Sequence, residues 1–151
     1  MRNGLTVLLV ENDPIIRQLI VRALTRAGFT VIEAVDGADA FARVGADPGG
    51  VDILVTDVVM PRKDGFTLAE EFAALAPDVR VLFITGHAHD LRGVRSGLEQ
   101  SHCRFLLKPF TTTQLVTTLR EVLRSDPQPR RTEGARVLPI PSRSRTTGTE
   151  G

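Results

Sequence analysis

The run TVLLVENDP, Thr6 to Pro14, decides the fold class, because five apolar or β-branched residues end abruptly at Glu11, Asn12 and Asp13. A continuous apolar run of that length suits a strand buried on both faces, as in a parallel sheet covered by helices. Asp13 followed by Pro14 reads as a helix start, a carboxylate cap with proline at the first helical position. Ile15, Ile16, Leu19, Ile20, Ala23 and Leu24 then fall on one helical stripe, which Gly28 closes at a left-handed cap.

The same alternation continues down the chain. Strands are expected at Phe29–Ala34, Val51–Thr56, Val79–Thr85 and Cys103–Leu107. Between and after them, helices are expected at Gly37–Val44, Phe66–Leu75 and Thr111–Leu123. Their inward positions are Ala40, Phe41 and Val44, then Phe66, Leu68, Ala69, Phe72, Ala73 and Leu75, then Leu115, Val116, Leu119, Val122 and Leu123. The segment His87 to Ser101 offers only Leu91, Val94 and Leu98 as an apolar stripe and is expected to be a weak helix. Asp47, Pro48, Gly49 and Gly50 read as a loop. The fold class is therefore α/β, a doubly wound five-stranded parallel sheet.

Length and composition bound the function. The chain has 151 residues, 42% of them hydrophobic and 25% charged, enough for one domain with a core. No apolar run reaches the roughly 18 residues of a membrane span, and Met1 to Gly4 lacks a signal-peptide core, so a cytoplasmic location is expected. One cysteine, Cys103, makes neither an internal disulfide nor a thiolate zinc site alone. A net charge of +1 gives no overall field toward nucleic acid or anionic membrane. From Asp126 to Gly151 the sequence turns to Pro, Arg, Ser, Thr and Gly, with Val137, Leu138 and Ile140 its only large aliphatics. Residues 126–151 are expected to be a disordered basic tail behind a folded domain of residues 1–125.

Right-handed crossovers bring the C-terminal ends of all parallel strands to one edge, where ligands bind. That edge collects Glu11, Asn12 and Asp13 after the first strand, Asp57 after the third, Thr85 after the fourth and Lys108 after the fifth. Grouped carboxylates repel unless a hard divalent cation neutralises them, which implies a Mg²⁺ pocket. A lysine and a hydroxyl opposite a carboxylate supply the donors that a phosphoryl group needs. Asp57 is the natural acceptor, since carboxylates serve as covalent phosphoryl nucleophiles.

VLLVEND at 7–13, DILVTDVVMPRKDG at 52–65, VLFITG at 81–86 and FLLKPF at 105–110 resemble, in order and spacing, the motifs of the receiver domains of two-component response regulators. The match covers nearly all of residues 5–124. The resemblance implies a flavodoxin-like (βα)5 fold with strand order 2-1-3-4-5. It implies an aspartyl phosphate on Asp57, taken from a histidine kinase or a histidine phosphotransfer protein, with Mg²⁺ or Mn²⁺ required. By position, Glu11, Asn12, Asp57 and the Val59 backbone carbonyl would hold the metal, Lys108 would pair with the phosphoryl oxygens, and Thr85 would swing its hydroxyl to them. Phe105 would be the aromatic switch residue, and Pro109 a candidate for a cis peptide bond. Such a domain is not an enzyme with an outside substrate: it assists its own phosphorylation and re-presents a surface to a target protein.

Two departures stand out. Asn12 replaces the aspartate usual in the acidic pair and brings no charge, which lowers Mg²⁺ affinity; Asp13 is either a compensating ligand or the helix cap. Phe105 replaces the commoner tyrosine, so a switch there works by packing alone. His87, His89 and His102 read as solvated loop histidines, and Cys103 as a small buried hydrophobe. The expected function is a stand-alone receiver switching protein contacts, monomeric or weakly dimeric, without a DNA-binding domain. The alternative is a pseudo-receiver acting as a phosphorylation-independent interaction module, supported by Asn12.

Overall fold

A computed structural model describes residues 4–60, 62–86 and 103–124. The weak helix expected at 87–101, the three histidines, the Met60-Pro61 turn beyond Met60 and the basic tail lie outside the described residues. The elements run β1 (Thr6–Val10), α1 (Pro14–Arg26), β2 (Thr30–Ala34), α2 (Gly37–Val44), β3 (Ile53–Asp57), α3 (Gly65–Leu75), β4 (Arg80–Thr85), β5 (Cys103–Leu107) and α4 (Thr112–Arg124). All pairings are parallel, and the strands lie in the order β2-β1-β3-β4-β5.

Period-two alternation splits each strand's side chains between two cores. Leu8, Val10, Leu54 and Phe83 face Leu68, Ala69 and Phe72 of α3, with Ala40 of α2. Val7, Leu9, Ile53, Val55, Leu82 and Ile84 face Ile20 and Leu24 of α1 and Leu115, Leu119 and Val122 of α4. Each such side chain, fully buried, contributes about 1.5–3 kcal/mol relative to exposure. Most strongly buried of all is β3, between β1 and β4, every residue of which is sealed from solvent.

The strand limits move inward for hydrogen-bonding reasons. Val51 is expected in a strand, yet its amide bonds to the Pro48 carbonyl in a 3₁₀ turn spanning Pro48–Gly50. Phe29 and Val79 likewise give their amides to Leu24 and Ala76, closing the preceding helices. At the other end β3 extends one residue further than expected, through Asp57, whose register partner is Ile84.

The apolar stripe of α1 is wider than the face the sheet covers. Ile20 and Leu24 are buried and Ile16 is half-buried, but Ile15 is 80% and Leu19 49% exposed, contrary to their expected inward place. Leu75 at the end of α3 is also exposed, because the buried face of this segment runs through Leu68, Ala69, Phe72 and Ala76 and leaves it on the solvent side. Gly28, with φ of +100°, reverses the chain after α1 in a conformation that disfavours any side chain.

Candidate functional site

Four strand ends build a cleft of about 330 Å³, lined by Glu11, Asn12 and Asp13 from the β1–α1 turn, Asp57 and Val59 after β3, Thr85 and Gly86 at the end of β4, and Lys108 after β5. The topology thus brings together Asp57, Lys108, Thr85, Glu11, Asn12, Asp13 and Val59, the expected rim set. Phe105 stays apart from it, inside β5, half-buried and stacked on Phe83 with ring centroids 5.3 Å apart. Phe83 in turn meets Phe66 of α3 edge-on at 5.0 Å, so Phe105 caps a row of three rings.

Backbone bonds hold the strand ends in register. Lys108 donates its amide to the Thr85 carbonyl at 2.8 Å, and Val58 donates to Ile84 at 3.0 Å. The Lys108-Pro109 peptide is cis, as the resemblance implies. From that turn the Lys108 ammonium reaches 3.1 Å from Asp57 Oδ1 and 3.8 Å from Glu11 Oε1. One cation therefore serves two buried carboxyl groups.

Glu11 is the most strained of these electrostatically. It is 1% exposed; its Oε2 accepts the Asp13 amide at 3.0 Å, while its Oε1 is buried with no hydrogen-bond partner. Burial first, and then the Asp57 carboxyl beside it, push its pKa up from 4.5 to about 7, against the lowering effects of the Asp13 amide and Lys108. An orphaned buried acceptor on a cleft wall is the unmet need that a divalent cation satisfies. Among the described residues no three His, Cys, Asp or Glu side chains gather into a metal-holding group. The available donors are instead the two carboxylates, the Asn12 amide oxygen and the Val59 carbonyl, a sparse oxygen set of the kind that suits Mg²⁺ with its retained waters.

Asp13 faces the cleft, but its Oδ1 accepts the Ile15 and Ile16 amides at 2.9 and 3.3 Å and so caps α1. Between the two roles open for it, the helix cap is the one made by visible bonds. Asn12 is exposed, and Val59 is 65% exposed at the cleft mouth.

Two positioning residues escaped the reading of the rim. Arg17, from the first turns of α1, donates Nη1 to the Glu11 carbonyl at 2.8 Å and pairs with Glu33 at 3.3 Å, fixing the β1–α1 turn from below. Its only sequence signal is a lone cation in an otherwise uncharged opening to the helix. Gly65 is packed against the backbone of Asp57: a Cβ there would stand 2.1 Å from the Asp57 carbonyl oxygen. Its amide donates to the Val58 carbonyl at 2.8 Å, and Asp64 caps α3 on the Thr67 amide. The Asp-Gly pair at 64–65 is the signal, a turn dipeptide directly before a helix.

Comparison with known proteins bears on this rim. A family model described as "Response regulator receiver domain" matches residues 7–120. A stretch of "Sensor kinase CckA" from Brucella abortus (strain 2308) is 43% identical over 118 residues, 78% of this chain and only 12% of that protein. "Response regulator receiver protein CpdR" of the same organism is 35% identical over 117 residues, covering 78% of this chain and 95% of the relative. The crystal structure of a response regulator receiver protein from Sinorhizobium medicae WSM419 is 30% identical, with a TM-score of 0.69 over 81% of this chain and 96% of that one. This chain thus spans almost all of one curated relative and a small part of another.

Proposed function

Because this chain belongs to the response regulator receiver family of two-component systems, we propose that Asp57 accepts a phosphoryl group from a histidine kinase or histidine phosphotransfer protein in the cytoplasm. The observation that carries the reading is the contact of Lys108 Nζ with Asp57 Oδ1 at 3.1 Å in a cleft that also holds Thr85 and an under-satisfied Glu11.

The chemistry follows from the geometry. An Asp57 oxygen forms the new P–O bond as the P–N bond of the donor's phosphohistidine breaks and the imidazole leaves. Lys108, already at hydrogen-bond distance from Asp57, stays within reach of the transferred oxygens and offsets their charge. Thr85, buried at the end of β4 and tied through its carbonyl to Lys108, is the hydroxyl donor at the same edge. Glu11, Asn12, Asp57 and the Val59 carbonyl would hold Mg²⁺ or Mn²⁺, which supplies positive charge to the phosphoryl oxygens when bound. Asp13 is left to its capping role. Rearrangement around Thr85 would be passed along β4 and β5, where Phe83 and Phe105 stack, and the changed surface would be read by a target protein. The near-complete match to a relative of receiver size supports output through the receiver surface itself.

The test is chemical: incubation with phosphoramidate and Mg²⁺ should yield an adduct that hydroxylamine cleaves, as it cleaves an acyl phosphate. A hydroxylamine-stable adduct, or one on a histidine, would contradict the assignment. Asn12 favours a second reading, a module that binds partners without phosphorylation, since the uncharged amide weakens the metal site. Absence of any adduct at saturating Mg²⁺ would leave that reading standing.

A further inference from the structure

The backbone of Glu11 is held by the end of β2 at both of its polar groups. Its amide donates to the Ala34 carbonyl at 3.1 Å. Its carbonyl, at the start of the β1–α1 turn, accepts Nη1 of Arg17 at 2.8 Å, and the same guanidinium gives Nε to Glu33, the residue before Ala34, at 3.3 Å. Arg17 is placed for this by α1 itself, where its amide donates to the Asp13 carbonyl at 2.8 Å. A ring of contacts thus closes from Glu11 through Ala34 and Glu33 to Arg17 and back.

Ion pairing alone does not account for Arg17. Its side chain is 17% exposed, but that of Glu33 is 48% exposed, and pairs open to solvent add little stability. What the guanidinium fixes is the plane of the peptide joining Glu11 to Asn12, two adjacent oxygen donors of the cleft. On one side of that peptide the Glu11 carboxyl is sealed in, with Oε2 on the Asp13 amide at 3.0 Å and Oε1 without a hydrogen bond. On the other, Asn12 stands exposed at the rim. Rotation of the peptide would move both donors and break the bond from the Asp13 amide. A guanidinium serves two acceptors at once in a fixed fork, which an ammonium does not.

We infer that Arg17 is a positioning residue for the cation of the acceptor cleft: by clamping the Glu11 carbonyl to Glu33, it keeps the Glu11 carboxylate and the Asn12 amide oxygen turned toward the ion. This role rests on the proposed reading of the cleft as a Mg²⁺ site that serves phosphoryl transfer to Asp57. Groups directly behind a metal's ligands typically change its affinity about 10- to 100-fold. The direction of the effect separates position from charge. Removing a cation beside a Mg²⁺ site strengthens binding by Coulomb's law, whereas losing the clamp weakens it.

The experiment is calorimetric titration of the full chain with Mg²⁺ at about pH 8, where the Glu11 carboxyl is ionised. Arg17→Gln, verified as folded by circular dichroism, should bind Mg²⁺ about tenfold more weakly than the native chain. Arg17→Lys, which keeps a donor for the Glu11 carbonyl but not the fork, should fall between the two. In EDTA, hydrogen exchange of the Asp13 amide, followed by NMR, should be faster in Arg17→Gln, because the Glu11 carboxyl that protects it is no longer held. Mg²⁺ affinity in Arg17→Gln equal to or above native, or unchanged exchange at Asp13, would overturn the positioning role alone. Arg17→Lys binding no more tightly than Arg17→Gln would overturn it too, since the retained donor would then count for nothing. Absence of saturable Mg²⁺ binding by the native chain, or binding that Asp57→Asn leaves unchanged, would overturn the metal site and the role of Arg17 with it.

Discussion

The Lys108 ammonium lies 3.1 Å from Asp57 Oδ1 while reaching 3.8 Å from Glu11 Oε1, so a residue on the turn after β5 neutralises carboxyl groups delivered by β3 and β1. Lys108→Ala should lower the rate of phosphorylation by acetyl phosphate about a hundredfold, the typical loss for one preorganised donor to a developing oxyanion. Single-turnover kinetics at saturating Mg²⁺ check this, and an unchanged rate would remove Lys108 from the chemistry.

Glu11 gives the domain a pH signature. Its pKa, raised by burial and by Asp57 from 4.5 to about 7, means that the folded chain holds this proton more tightly than the unfolded chain does. Between those two values unfolding releases the proton, so without metal this group's contribution to stability falls as pH rises from about 4.5 through about 7, and is flat above. Urea denaturation across that range, native against Glu11→Gln, should show the slope only in the native chain. Mg²⁺ competes with the same proton, so its affinity should drop as pH falls below about 7.

Asn12→Asp adds a charged oxygen at the cleft mouth. Mg²⁺ should bind about tenfold more tightly, since charge count sets the affinity of oxygen sites. The metal-free variant should be less stable than the native chain at neutral pH, because a further anion joins Glu11 and Asp57. Calorimetric Mg²⁺ titration and thermal melting in EDTA read the two effects, and unchanged Mg²⁺ affinity would show that this position is not a ligand.

Gly65→Ala should destabilise by about 1–3 kcal/mol, the usual cost of overpacking, since the new methyl would meet backbone atoms of Asp57 and Val58 that cannot yield as a side chain can. Phosphorylation should slow as well, because the Asp57 backbone must shift. Equilibrium urea unfolding gives the first number.

Much of this was legible in the chain because it rests on short-range patterns. TVLLV at 6–10 reads as a doubly buried strand and is one; Asp13-Pro14 reads as a cap and makes the cap's hydrogen bonds. The strand order follows from the family resemblance, and the rim set follows from parallel topology, which sends every strand's C-terminal end to one edge. What pattern does not encode is which part of an apolar stripe the sheet covers, so Ile15 and Leu19 share the stripe of Ile20 and Leu24 and yet stand exposed. Nor does it encode long-range hydrogen bonding, so Arg17 under the Glu11 carbonyl and the close seat of Gly65 on Asp57 become visible only once the chain is folded. The orphaned Glu11 oxygen belongs to the same class, a burial property that no single residue announces.

The most direct test of the central claim is intact mass after incubation with acetyl phosphate, with and without Mg²⁺, for the native chain and for Asp57→Asn. A single phosphoryl adduct that requires Mg²⁺ and is missing from the variant is the predicted result. A folded native chain that takes no adduct at high Mg²⁺, or an adduct that survives in Asp57→Asn, would contradict it.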